Sequence, residues 1–175
     1  MQTLWEETRI ILPRLRRLAR SWGGDIIGVT EKGFKHESKS KHFSGAPFTS
    51  YDLGVNWRRK IVFFNKEERQ YLHWGDVIHE MGHVFACSKE PNWSASQEYD
   101  FFGWEYLLML QVRGDKKLWS ESMANYMVSV PRLNGDKWAE WCELDEEMRN
   151  EVLIDRIGIA ARNGLYRGGK VRALR

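Results

Sequence analysis

Cysteine is scarce in this chain: Cys87 and Cys142 are the only two among 175 residues. They are too few and too far apart for the disulfide framework of a small secreted domain, so a reducing cytoplasm is the expected setting. Long apolar runs are missing as well. No stretch approaches the roughly 18 apolar residues that cross a bilayer, and no membrane is expected among the partners. The apolar positions near the N-terminus are broken by Arg9, Arg14, Arg16, Arg17 and Arg20, which excludes the uninterrupted apolar core of a signal peptide there. Only five histidines occur, none of them after His83.

What is present fits one folded domain over residues 1–175, with 42% hydrophobic and 29% charged residues. A chain of this size buries on the order of 70% of its unfolded surface, enough to stand without covalent staples. The net charge of +3 is unevenly placed. Arg162, Arg167, Lys170, Arg172 and Arg175 leave a basic tail over about 163–175, and Lys32, Lys35, Lys39 and Lys41 crowd one connection. Solvated surface is the expected role of both; a nucleic-acid partner is permitted by the charge but not indicated by it. Nothing in the chain reads out an oligomeric state.

The periodicity predicts an α+β domain, mainly helical, with a small antiparallel or mixed sheet ahead of the central motif. Leu4, Ile11, Leu15, Leu18 and Trp22 recur at helical spacing, with a kink expected at Pro13 and a stop at Gly23-Gly24. Asp25–Thr30 is short and β-branched, and the Lys-, Ser- and Gly-rich stretch Lys32–Pro47 reads as a loop. Leu53–Trp57 and Lys60–Phe64 read as strands. Asn65 and Glu68 have capping-box spacing for a helix carrying Ile78, Met81 and Phe85, reaching Ala86 or Ser88, with Asp76 as an alternative N-cap after Gly75. Further helices are expected over Gln97–Val112, Leu118–Val130 and Asp145–Arg162, the last stopped by Asn163-Gly164. Trp138–Trp141 makes a short aromatic piece between the last two.

His79-Glu80-Met81-Gly82-His83 matches H-E-x-x-H inside a segment read as helical. Residues four apart share a helix face, so both imidazoles can reach one zinc ion at about 2.0–2.1 Å while Glu80 turns toward a metal-bound water. Zn²⁺ brings the pKa of that water toward about 7. Glu80 can then act as general base and return the proton to a leaving amine, which is amide hydrolysis.

A catalytic zinc normally takes three protein ligands. Glu105 is the first choice for the third, because its neighbours from Phe101 to Leu110 are almost all apolar and a carboxylate there calls for a cationic partner. Glu121, at the start of the next expected helix, ranks second; Glu98, in a first turn where any acid is favoured, ranks third. Tyr126 is the first guess for an oxyanion donor, with Tyr106 and His73 as others. Cys87, one turn after His83, would make the zinc structural and leave Glu80 idle. Trp93, Trp104, Trp119, Trp138 and Trp141 serve by default as core, otherwise as groove lining.

The motif followed by a downstream Glu resembles the gluzincin branch of zinc peptidases, and the distance from His83 to Glu105 is close to that of thermolysin-like enzymes. The resemblance runs from Lys60 to about Met127 and implies a zincin-like fold, a bound zinc, and a protein or peptide substrate. The Asp that thermolysin-like enzymes place four residues after the ligand would fall at Met109. His-Glu-Met-Gly-His with Glu121-Ser122-Met123-Ala124-Asn125 is similar to compact ImmA/IrrE-type peptidases, with Met127-Val128 where those carry Phe-Ala. Asp100–Glu105 is similar to uncharacterised phage-encoded proteins. Two other readings compete with a peptidase: a zincin-like binding module with little hydrolytic activity, and a DNA-associated protease of the SprT kind, whose usual third histidine ligand is missing after His83.

Overall fold

The computed structural model describes residues 4–38, 53–86, 101–113 and 144–174. They fall into two compact units, Met1–Phe85 and Ala86–Arg175. The architecture is α+β and mainly helical, with a small mixed sheet ahead of the motif helix.

The first unit opens with α1 (Leu4–Ser21). Thr8, Ile11, Leu12, Leu15 and Ala19 form its buried face at three- and four-residue steps. Pro13 sits on the exposed side and the helix continues through it. The carbonyl that loses its partner to the proline ring therefore faces water, where the loss costs least. Strand β1 (Asp25–Val29) follows, then α2 (Glu31–Ser38), β2 (Leu53–Asn56) and β3 (Ile61–Asn65). The sheet order is β1-β3-β2, with β1 parallel and β2 antiparallel to β3.

The apolar run Ile61–Phe64 is buried on both faces, as a central strand must be. On one face Ile61 and Phe63 pack with Phe34 of α2, joined by Ile27 and Val29. The motif helix α3 (Trp74–Met81) packs against α1, β2 and β3. Two hydrogen bonds tie α1 into this unit: Thr8 Oγ1 donates to Leu72 O at 2.8 Å and Arg16 Nε to Ile26 O at 2.9 Å.

Several sequence expectations need correction. Residues 31–38 are helix α2, not loop: Thr30 Oγ1 takes the Gly33 N–H, Glu31 pairs with Lys35 one turn on, and Phe34 supplies the buried anchor. The two strands end and begin one residue from where the pattern put them. Asn56 Oδ1 accepts the Arg59 N–H and Lys60 takes a φ of 52°, so the turn holds Trp57–Lys60 and β3 starts at Ile61. Asn65 closes β3 rather than capping a helix, its Oδ1 taking the Glu67 N–H. The expected elements at Leu118–Val130 and Trp138–Trp141 lie outside the described residues.

The second unit contains α4 (Phe102–Arg113), α5 (Glu146–Arg162) and a hairpin, β4 (Tyr166–Arg167) with β5 (Lys170–Val171). Asp145 caps α5 as its sequence implies, its side chain accepting the Met148 N–H at 2.9 Å. The stretch expected to be a basic tail is instead this hairpin, held by Trp104 Nε1 donating to Arg172 O and Val171 N–H donating to Gln111 Oε1, both at 2.8 Å. α4 and α5 cross closely at Gly103, where an added Cβ would lie 2.4 Å from the Arg156 carbonyl carbon and the Ile157 nitrogen. Backbone cannot yield as a flexible side chain can. Gly103→Ala should therefore destabilise the second unit by about 3 kcal/mol, read as a lower urea midpoint against the parent.

Candidate metal centre

Every residue of α3 is buried. His73 stands at its N-cap in extended conformation, with Nδ1 accepting the Gly75 N–H at 3.1 Å. Asp76, expected as an N-cap, sits three positions past the cap, which is His73. Asp76 is in the first turn and takes a hydrogen bond from the His73 backbone, which is one half of a capping box; the His73 ring bonds Gly75 instead of Asp76. His73, a guess for oxyanion donor, has its Nδ1 engaged in this cap.

The helix does not run on in α form to Ala86. From Gly82 to Ala86 it widens into a π-type turn that carries His83, a local form found often at functional sites. Across this change of winding the two motif imidazoles meet. His79 Nε2 and His83 Nε2 are 3.2 Å apart, with ring centroids at 4.8 Å and planes at 88°. Glu80 lies with them, and one donor atom from each of the three falls within 4.8 Å of the others. All three are buried, His79 to 6%, Glu80 to 4% and His83 to 1% exposure.

The 3.2 Å separation fits a shared cation. Two ligands at about 2.0–2.1 Å from one ion and at a near-tetrahedral angle lie roughly 3.2–3.4 Å apart. The same distance also serves an N–H···N bond between neutral rings. Both arrangements need uncharged imidazole, and burial pushes the His83 pKa well below its ordinary value, with the His79 ring lowering it further. A neutral ring is the form that binds metal.

Around the pair lie two groups with unusual environments. Asp76, three residues before His79 and four before Glu80, has its pKa pushed up to about 7, first by burial and then by Glu80, against the lowering effects of His79 and the His73 backbone. Its Oδ2 is buried with no hydrogen-bond partner among the described residues. Trp57, in the turn after β2, stands edge-on to His83 at 6.1 Å between centroids, and its buried Nε1 has no hydrogen-bond partner among the described residues. Trp57 was not picked out by sequence. It lies far from the motif along the chain, and only the packing of β2 beside α3 brings it there.

The other expected site residues divide by position. Glu105 belongs to the second unit, in the first turn of α4, where it is wholly buried and its N–H donates to Phe101 O at 2.9 Å. Tyr106 follows it, half-buried, with burial raising its phenol pKa. Glu98, Glu121, Tyr126 and Cys87 lie outside the described residues. Among the described residues no other cluster of three His, Cys, Asp or Glu side chains could hold an ion, and no helix is long and apolar enough to cross a membrane. Comparison with protein families, curated proteins and solved structures found no match to the chain.

Proposed function

We propose that this chain is a zinc-dependent metallopeptidase hydrolysing a peptide bond in a protein or peptide substrate, in a cytoplasmic setting consistent with its two cysteines. The supporting observation is the buried His79–His83 pair at 3.2 Å with the Glu80 carboxylate in the same group. A zinc ion held there supplies Lewis acidity, which acidifies water and polarises a carbonyl. His79 and His83 in their neutral forms would hold such an ion. Glu80 takes the proton of the attacking water and delivers it to the departing amine. The hydrophobic surroundings of α3 keep bulk water from the reacting groups and strengthen each electrostatic contact within.

For the third ligand we keep the ranking that the sequence supports: Glu105, then Glu121, then Glu98. Tyr126 stays the proposed oxyanion donor. Metal analysis tests the assignment. Purified protein is expected to carry one zinc per chain, and His79→Ala or His83→Ala to lose it. Glu105→Ala should weaken zinc retention by more than about 100-fold, the upper end of what changing a ligand's hydrogen-bonding partner costs, while Glu121→Ala and Glu98→Ala hold metal as the parent does. A parent that takes up no divalent ion at neutral pH would end the proposal. A folded Glu105→Ala that keeps its zinc would pass the role to whichever of the other two loses it.

A further inference from the structure

The C-terminal hairpin carries a charge arrangement that folding alone disfavours. Residues 156–175 contain Arg156, Arg162, Arg167, Lys170, Arg172 and Arg175 and no acidic residue. The whole chain has a net charge of +3, so the other residues together carry a net −3. The excess positive charge of the protein is thus confined to this end. Tyr166 pairs with Val171 and Arg167 with Lys170. Opposed residues of an antiparallel pair share a face. Val171 is buried and Tyr166 half-buried, whereas Arg167 and Lys170 are exposed. Arg172, just past the end of β5, is exposed too.

Two cations directly opposite each other destabilise a sheet, yet here they flank the tightest turn available, Gly168-Gly169 with φ of 61° and 73°. Three exposed cations of the first unit have acidic partners: Arg20 with Asp25, Lys35 with Glu31, Arg59 with Glu37. Arg167, Lys170 and Arg172 have no carboxylate partner among the described residues. Nothing fills the space that a Cβ would occupy at Gly168 or Gly169, so the backbone of the turn is open to close approach.

We propose that this hairpin grips the phosphodiester backbone of a nucleic acid, with Arg167, Lys170 and Arg172 on successive phosphates and the Gly168-Gly169 turn lying against the strand. A polyphosphate chain supplies the repeated negative charge that the opposed pair lacks. Contacts of this kind position a protein without reading sequence. The inference rests on the hairpin alone and does not depend on the metal centre.

Fluorescence anisotropy of the full chain with a labelled duplex of about 20 base pairs, titrated across about 50 to 200 mM salt, tests it. Each phosphate contact contributes about 0.9 to the slope of log K against log salt. Arg167→Ala/Lys170→Ala should thus lower that slope by about 1.8 and weaken binding at low salt by roughly tenfold or more. Arg167→Glu makes the cross-strand pair attractive, so it should raise thermal stability while lowering affinity for DNA, a divergence that a merely structural role would not produce. Binding with parental affinity and slope in both variants would overturn the proposal. So would a parent that leaves the duplex unbound, or one that prefers polyglutamate to DNA at equal charge.

Discussion

Glu80→Gln is expected to keep zinc at the parental level and to lower the rate of casein cleavage by about 10²–10⁴-fold, the range that a positioned general base contributes. The substitution preserves shape and burial but removes the proton acceptor, and with it the negative charge beside the two imidazoles. The variant separates two arrangements that the geometry of the site allows. One donor atom of Glu80 falls in the same 4.8 Å group as the histidine nitrogens, so the carboxylate can be a base beside the ion or itself a ligand to it. Retained metal with lost cleavage assigns the base. Lost metal would make Glu80 a ligand and remove the base from the proposal. Cleavage at the parental rate, with metal bound, would dismiss Glu80 as the base and with it the mechanism proposed for this site.

The parts of this protein that were legible in its sequence are those settled within one or two helical turns. The His79, Glu80, His83 grouping needs only a four-residue spacing on a helix. The boundaries of α5 are written in Asp145 and Asn163-Gly164, and the central strand in an unbroken apolar run. Misread elements are those decided by distant packing. Helix α2 has one buried anchor, Phe34, in a polar stretch, and its helicity follows from the sheet face that receives it. The π-type turn at Gly82–Ala86 has no local signature, although it sets how the two rings meet. The sequence offered Asn65 or Asp76 as the cap of the motif helix, whereas the cap is His73, whose ring accepts the Gly75 N–H. The hairpin is a different case: Gly168-Gly169 is a recognised turn signal, overshadowed in the sequence by the surrounding positive charge. Trp57 became visible only when β2 and α3 were seen side by side.

The largest effect expected on stability belongs to Asp76. Its carboxyl titrates near 7 in the fold against 3.8 as the unperturbed value, chiefly because burial disfavours the anion. Below pH 3.8 both folded and unfolded chains hold the proton and Asp76 adds no pH dependence. Between that point and about pH 7 the unfolded chain ionises while the fold keeps the proton, so stability falls by about 1.4 kcal/mol per pH unit. Over the whole window the loss comes to about 4 kcal/mol, and above pH 7 it stays constant. Asp76→Asn removes the titration. Asn keeps a carbonyl for the His73 N–H but buries an amide where Oδ2 finds no partner among the described residues, at a cost of about 1–3 kcal/mol that does not vary with pH. Chelator-treated Asp76→Asn should therefore gain about 4 kcal/mol relative to the parent between pH 4 and pH 8, measured by urea unfolding at each pH. With zinc bound the gap should shrink, because a nearby dication favours the carboxylate and releases its proton. Parallel stability curves for the two chelated proteins would show that Asp76 is ionised in the fold, and the site beside His79 and Glu80 would then carry one more negative charge than the structure assigns to it.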